Sequence, residues 1–258
     1  QKADVINNGS DVKITRAAAA YELNDKFMVS AGIVGNNAPS SLSNHKFFWG
    51  DKYDEAPFIT TNALGELFPV YSTKVGVSYS PNQDRFLVSA GVTTHSTGYN
   101  WKSDSSTAPT IQGFYMIPAG NGEFLLDGEY VHKIKGIKGS ANNANYLGLG
   151  VTYDNGSNWG VSYDFNQNKI SDGSHDRTHS VEGRVELDKF TILGRYIFGD
   201  GNIGGQNLTD IKAWTAGVHF SPIDNLTGGI EYSETKAKVG GAANKGKAVA
   251  LGMNYVFK

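Results

Sequence analysis

The chain alternates with a period of two. In WGVSYDF, Trp159, Val161, Tyr163 and Phe165 fall on one side and Gly160, Ser162 and Asp164 on the other. KAWTAGVHFSP sets Trp214, Ala216, Val218 and Phe220 against Thr215, Gly217, His219 and Ser221. FTILGRYIF sets Phe190, Ile192, Gly194, Tyr196 and Phe198 against Thr191, Leu193, Arg195 and Ile197, and the chain ends on Val249, Leu251, Met253, Tyr255 and Phe257. A period of two is that of a strand with unlike faces. One face is apolar or aromatic; the other is small, polar or charged. Turn residues break the pattern at short intervals, which predicts an all-β chain of antiparallel hairpins.

The charges sit in mid-strand on the polar face, at Lys74, Asp127, Glu129, Glu182, Arg184, Arg195 and Glu231. The aromatics gather at strand ends beside turns, as in SYSPNQDRF, TYDNGSNWG, HFSPIDNL and YELNDKF. A soluble sandwich would bury aromatics centrally, whereas a membrane barrel places amphipathic rings at the headgroup level and keeps charge in a wet lumen. Composition agrees. Only 39% of the 258 residues are hydrophobic, with 32 Gly, 13 Tyr and 13 Phe, and no run approaches the roughly 18 apolar residues of a spanning helix. Strands can cross lipid only in a closed barrel, where every backbone group is paired. The net charge of −2 offers no basic field for nucleic acid. The absence of Cys fits an oxidising compartment. QKADVINNGSD has no basic segment followed by an apolar one, so a mature chain without its signal peptide is expected.

Connections alternate between short and long. Short turns fall at Asn24-Asp25, Pro81 to Asp84, Pro118 to Gly122, Asn155 to Asn158, Asp188-Lys189 and Pro222 to Asn225; polar links run over 36–69, 96–108, 135–144, 168–177, 199–210 and 237–247. Thirteen strands follow Asp11, and an ascending one should precede them, with only Gln1 to Val5 available. The expectation is a single domain over 1–258, a transmembrane antiparallel up-and-down barrel of about 14 strands. At about 4.8 Å between strands and about 40° of tilt, its backbone diameter is on the order of 28 Å.

The ending Gly252-Met253-Asn254-Tyr255-Val256-Phe257 resembles the C-terminal assembly signal of Gram-negative outer-membrane proteins, Gly-x-x-aromatic-x-aromatic, with Lys258 as a departure after the last aromatic. RAAAAYELNDKFMVSAGIVGNNAPS resembles the general-porin stretch that leads into the loop narrowing the pore. Counted back from Phe257 as a sixteenth strand, 26–35 is the fifth, and the link after it is the longest in the chain. The alternative count is therefore a sixteen-stranded porin pattern lacking N-terminal strands. The resemblance implies a location in the bacterial outer membrane and contact with its lipids. It also implies recognition of Gly252, Tyr255 and Phe257 by the insertion machinery, and admits a homotrimer. It makes 36–69 a candidate constriction carrying Asp51, Asp54, Glu55 and Glu66, opposed by wall cations Arg16, Lys74, Arg85, Arg184 and Arg195. The cross-channel field of such an arrangement favours polar solutes.

The function expected is passive diffusion of ions and small hydrophilic solutes. A substrate-preferring channel, for example for sugars, and a structural or adhesive barrel are the alternatives. An enzyme is not expected. A barrel lipase needs His and Ser paired on one face, but His95-Ser96 and His179-Ser180 are adjacent and point to opposite faces. A barrel protease would need acidic and His clusters, of which Asp172 to Asp176 is a thin imitation. No metal site or cofactor fingerprint is present.

Overall fold

The computed structural model describes residues 2–8, 11–35, 71–81, 85–96, 107–135, 143–203, 205–223 and 226–255. They form one antiparallel sheet of fourteen strands in chain order. The strands are β1 (Lys2–Asn8), β2 (Asp11–Glu22), β3 (Phe27–Gly35), β4 (Tyr71–Tyr79), β5 (Phe86–Ser96), β6 (Thr107–Ala119) and β7 (Gly122–Lys135). They continue as β8 (Asn143–Asp154), β9 (Trp159–Ile170), β10 (His175–Leu187), β11 (Phe190–Ile203), β12 (Gln206–Ile223), β13 (Leu226–Val239) and β14 (Ala242–Tyr255). Each strand pairs with its neighbour in sequence, the up-and-down order of a transmembrane barrel. The stunted first strand is present as seven residues.

The tight turns at one end close on their own side chains. Asn24 Oδ1 accepts from the amides of Lys26 and Phe27 at 2.9 and 3.0 Å. Asn155 Oδ1 accepts from Ser157, Asn158 and Trp159, each at 3.0 Å. Between Asp154 and Asn158 the chain needs a left-handed residue, and Gly156 supplies it at φ 73°. At the other end, the expected links 168–177, 199–210 and 237–247 shorten, strand running to Ile170, Ile203 and Val239 and resuming at His175, Gln206 and Ala242. The Gly- and Asn-rich flanks are strand, because the ladders β10–β11, β11–β12 and β13–β14 run on through them. β12 reaches 18 residues, well past the roughly 9–11 that a bilayer requires.

The faces segregate as the alternation predicts. Ile192, Tyr196, Trp214, Val218 and Phe220 are exposed on one face, while Leu193, Arg195, Ile197, Thr215 and His219 between them are buried on the other. Two aromatic rows bound the apolar face. Near the tight turns, Phe27, Tyr79, Phe86 and Tyr115 form a chain of ring contacts at 5.0, 6.4 and 6.2 Å. Phe124, Tyr153 and Trp159 continue the row, followed by Phe190 against Phe220. Toward the other end, His179 stacks on Phe198 at 4.8 Å, and Trp214 lies 5.0 Å from Tyr232. Phe190 and Phe198 stand eight residues apart on β11. That is about 27 Å of strand, or about 21 Å of height at 40° tilt, close to the ~25 Å apolar band of outer-membrane barrels.

From β7 onward the register shifts fall between Val131 and Ile134, Gly199 and Gly201, Thr209 and Lys212, and Phe220 and Ile223. All lie at or beyond the aromatic rows, so the ladder between the rows is unbroken. Lys133 and Asp210, at φ 52° and 54°, are the left-handed residues of two of these bulges.

If the apolar face meets lipid, Ile192→Arg should lower the free energy of folding into bilayers by about 2–4 kcal/mol and Thr191→Arg by much less, read by denaturant titration in vesicles. Gly217 is unsuited as the inner control, because an added Cβ would lie 2.9 Å from Glu231 Cγ.

Candidate pore wall

On the inner face, registered rows of polar side chains cross β7 to β13. One row runs Thr152, Ser162, Glu182, Arg195, Thr215, Ser233, each opposite the next. Within it Arg195 Nε donates to Glu182 Oε2 at 2.9 Å, with side chains 4% and 0% exposed, and the Thr215 and Ser233 hydroxyls share a hydrogen bond of 2.9 Å. In the row nearer the tight turns, Asp154, Gly160 and Arg184 are opposite one another. Because Gly160 has no side chain, Arg184 reaches across β9 to Asp154 Oδ2 at 2.6 Å, and its other terminal nitrogen donates to Glu186 Oε1 at 2.6 Å. His219 Nε2 meets Glu231 Oε1 at 2.8 Å. The ring leans over Gly229, where a Cβ would come within 2.5 Å of it.

Toward the far end the wall turns acidic. Asp127, Gly150 and Asp164 are in register. A Cβ at Gly150 would lie 2.6 Å from Asp127 Oδ1 and 2.8 Å from Asp164 Oδ1, so the glycine is what lets two carboxylates lean over one position. Beyond them Tyr146 donates to Asn166 Oδ1 at 2.8 Å and Asn168 to Asp176 Oδ2 at 3.2 Å, all four residues being buried. The expectation of charges solvated by a wet lumen is corrected here. Asp127, Glu129, Glu182, Arg195 and Glu231 are buried, and those with described pairs are matched across strands. A buried charge is tolerated only with partners in place.

The proposed wall cations occupy different places. Arg195 is at mid-height and Arg184 two residues lower on the adjacent strand, at the level of Trp159. Arg85 is exposed in the turn before β5, its carbonyl accepting from Met116 at 2.7 Å, so it stands at the rim and not within the span. Arg16 lies opposite Asp4, and Lys74 opposite Gly32 and Thr93; only their backbone is described. Asp51, Asp54, Glu55 and Glu66 lie outside the described residues, as does Phe257. Gly252 is opposite Gly229 and Tyr255 opposite Leu226 in the last ladder. Of the buried polar cluster Asp164, Asn166, Asn168 and Asp176, sequence reasoning placed Asp164 on the polar face and did not single out the other three. Their signal was available in the even positions of β9 and β10, which carry little but polar residues.

The catalytic alternatives gain no geometry. His179 is on the outer face, stacked on Phe198 and bonded through Nδ1 to the Tyr163 hydroxyl at 2.8 Å, while Ser180 is fully buried on the inner face. Asp172 caps the Ser174 amide at 2.8 Å.

The family model for Gram-negative porins matches residues 45–258. The chain belongs to the Gram-negative porins. It is an outer-membrane β-barrel channel for small solutes. No curated protein matches it. Among solved structures, this porin is similar to a loop-deletion mutant of OmpT, an outer membrane protein of Vibrio cholerae. TM-score is 0.60 and identity 15%, covering 95% of this chain and 81% of that one. It is similar to OprB of Pseudomonas putida with TM-score 0.59 and 13% identity, over 96% and 74% of the two chains. OpdK of Pseudomonas aeruginosa, solved with vanillate, gives 0.58 and 10%, over 95% and 68%. At these identities the likeness is one of fold.

The buried Glu182–Arg195 pair gives a direct test of the wall. Arg195→Met should destabilise the porin by about 3–5 kcal/mol by stranding a buried carboxylate, and adding Glu182→Gln should recover part of that loss. Urea unfolding in detergent micelles measures both.

Proposed function

We propose that this porin conducts ions and small hydrophilic solutes by passive diffusion, through a lumen narrowed by segment 36–69 and lined on one side by the polar wall of β7 to β13. The observation that carries the reading is the segregation of the sheet into an apolar face bounded by two aromatic rows and an inner face tied by ion pairs. Such a wall is held at fixed geometry and is not rearranged by a passing solute. In this reading Asp51, Asp54, Glu55 and Glu66 are the acids of the constriction, and Arg16 and Lys74 face them. Arg85 adds charge at the entrance, and Arg184 and Arg195 stiffen the wall. At an effective dielectric of about 20, charges a few ångströms apart interact by a few kcal/mol, enough to set ion preference. Catalysis has no part in this reading, and among the described residues His179 and Ser180 occupy opposite faces.

A substrate-preferring channel is the second reading. Similar porins were solved with vanillate and with glucuronate, and a solute that blocks conductance at low concentration would favour it. Association as a homotrimer and recognition of Gly252, Tyr255 and Phe257 by the insertion machinery belong to the same proposal.

Planar-bilayer recordings test the channel. Deleting residues 45–60 should raise single-channel conductance, and neutralising Asp51, Asp54 and Glu55 together should shift preference away from cations. Unchanged conductance and selectivity in both would remove the constriction and leave the channel. Phe257→Ala should lower the amount of folded porin in the outer membrane while the molecules that insert conduct normally; unaltered levels would remove the assembly signal.

A further inference from the structure

The polar rows of the inner face stop short at β5 to β7 toward the tight turns. Leu87 is directly opposite Phe114, and Met116 directly opposite Leu125, so four apolar side chains fill two neighbouring rows on the inner side. All four are half-buried, whereas Val131, Leu193, Ile197 and Ile211 elsewhere on that face are 6% exposed or less. Apolar surface left in contact with luminal water is unfavourable, and the neighbouring strands meet the same water with hydroxyls and ions. Here the wall is both apolar and open.

The same rows run on into charge. Phe114 is opposite Asp127, Asp127 opposite Gly150, and Gly150 opposite Asp164. Gly150 is half-exposed, and the point where its Cβ would stand lies 2.6 Å from Asp127 Oδ1 and 2.8 Å from Asp164 Oδ1. Those distances are close to the about 2.7–2.9 Å at which an ammonium meets a carboxylate. The notch is diagonal to Leu125, whose partner Thr152 is two residues from Gly150 on β8. Diagonal neighbours on paired strands stand about 7–8 Å apart, within the span of one small molecule. Glu123 brackets the patch on the other side, so the inner face of β7 reads carboxylate, apolar, carboxylate, carboxylate from Glu123 to Glu129. Arg85, whose carbonyl accepts from the Met116 amide, stands at the rim, at the end of the patch away from the notch.

We propose that this wall carries a subsite for small organic cations with an apolar or aromatic body. The body lies on Leu87, Phe114, Met116 and Leu125, and the ammonium group enters the Gly150 notch between Asp127 and Asp164. The carboxylates attract the cation at one end, the Phe114 ring offers a face suited to a cationic ligand, and Arg85 repels an ammonium that enters reversed. A merely acidic lining would attract any cation; the apolar rows select those that carry hydrocarbon. The proposal rests on the porin reading, in which this face meets the lumen, and names a solute class for its substrate-preferring form.

Planar-bilayer recordings of the full chain test it with three probes added singly: phenethylammonium, ethylammonium, which lacks the ring, and phenylpropionate, which reverses the charge. Phenethylammonium should halve the wild-type current at a concentration at least about tenfold below that needed of either other probe. Phe114→Gln/Leu125→Gln should raise that concentration toward the ethylammonium value, and Asp127→Asn should raise it as well. Glu22→Gln, on the inner face of β2, should leave it unchanged. Equal block by the three probes in the wild type overturns the proposal whatever the variants do, and is the result expected if segment 36–69 covers the patch. A change as large in Glu22→Gln overturns it too, by making the effect one of diffuse luminal charge, and so does undiminished block in Phe114→Gln/Leu125→Gln. Each of these results leaves open channels and the porin reading intact, whereas a chain that inserts and passes no current removes both.

Discussion

Inside a lipid bilayer a backbone N–H or C=O has no water to turn to, so each must find its partner within the protein. The rest of this porin follows from that requirement. It dictates strands paired along their whole length, unbroken register between the two aromatic rows, and displacement of every irregularity from β7 onward to the levels where water is at hand. Once pairing is fixed, alternation fixes the faces. The residues free to choose between lipid and lumen are then sorted by parity alone.

That sorting explains the inner wall. Parity brings Glu182, Arg184, Arg195, His219 and Glu231 to one side of the sheet, and register then decides which of them touch. Arg195 meets Glu182 because they are directly opposite. Arg184 meets Asp154 only because the strand between them carries Gly160 at the crossing point. Glycine serves the wall here as absence, a gap that lets one long side chain span two strands or, at Gly150, two carboxylates lean together.

How much of this could be read from the chain depends on the length scale of each feature. The faces of β9, β11 and β12 follow from neighbours two residues apart, and the tight turns at Asn24 and Asn155 from three or four residues. Both were legible. Strand ends beyond the membrane were not, because Gly199 to Asn202 and Thr209-Asp210 have loop-like composition and are strand only through their partners. The ion pairs needed register, which joins residues 13 and 30 positions apart for Arg195–Glu182 and Arg184–Asp154. Knowing that Arg195 faced inward did not say that Glu182 would bury it. The candidate acids Asp51, Asp54, Glu55 and Glu66 depend on the path of a long connection, which local pattern does not encode.

The placement of the bulges also bears on how such a barrel can change over generations. An insertion of one residue between the aromatic rows would throw every later side chain of that strand onto the wrong face. The same insertion near Lys133 or Asp210 falls where a left-handed residue already absorbs a slip. The tips of β7 and β12 are therefore where length can drift by single residues, while the membrane band is held to changes of identity at constant count. Related barrels should accordingly differ in the height of single strands at that rim before they differ in strand length between the rows.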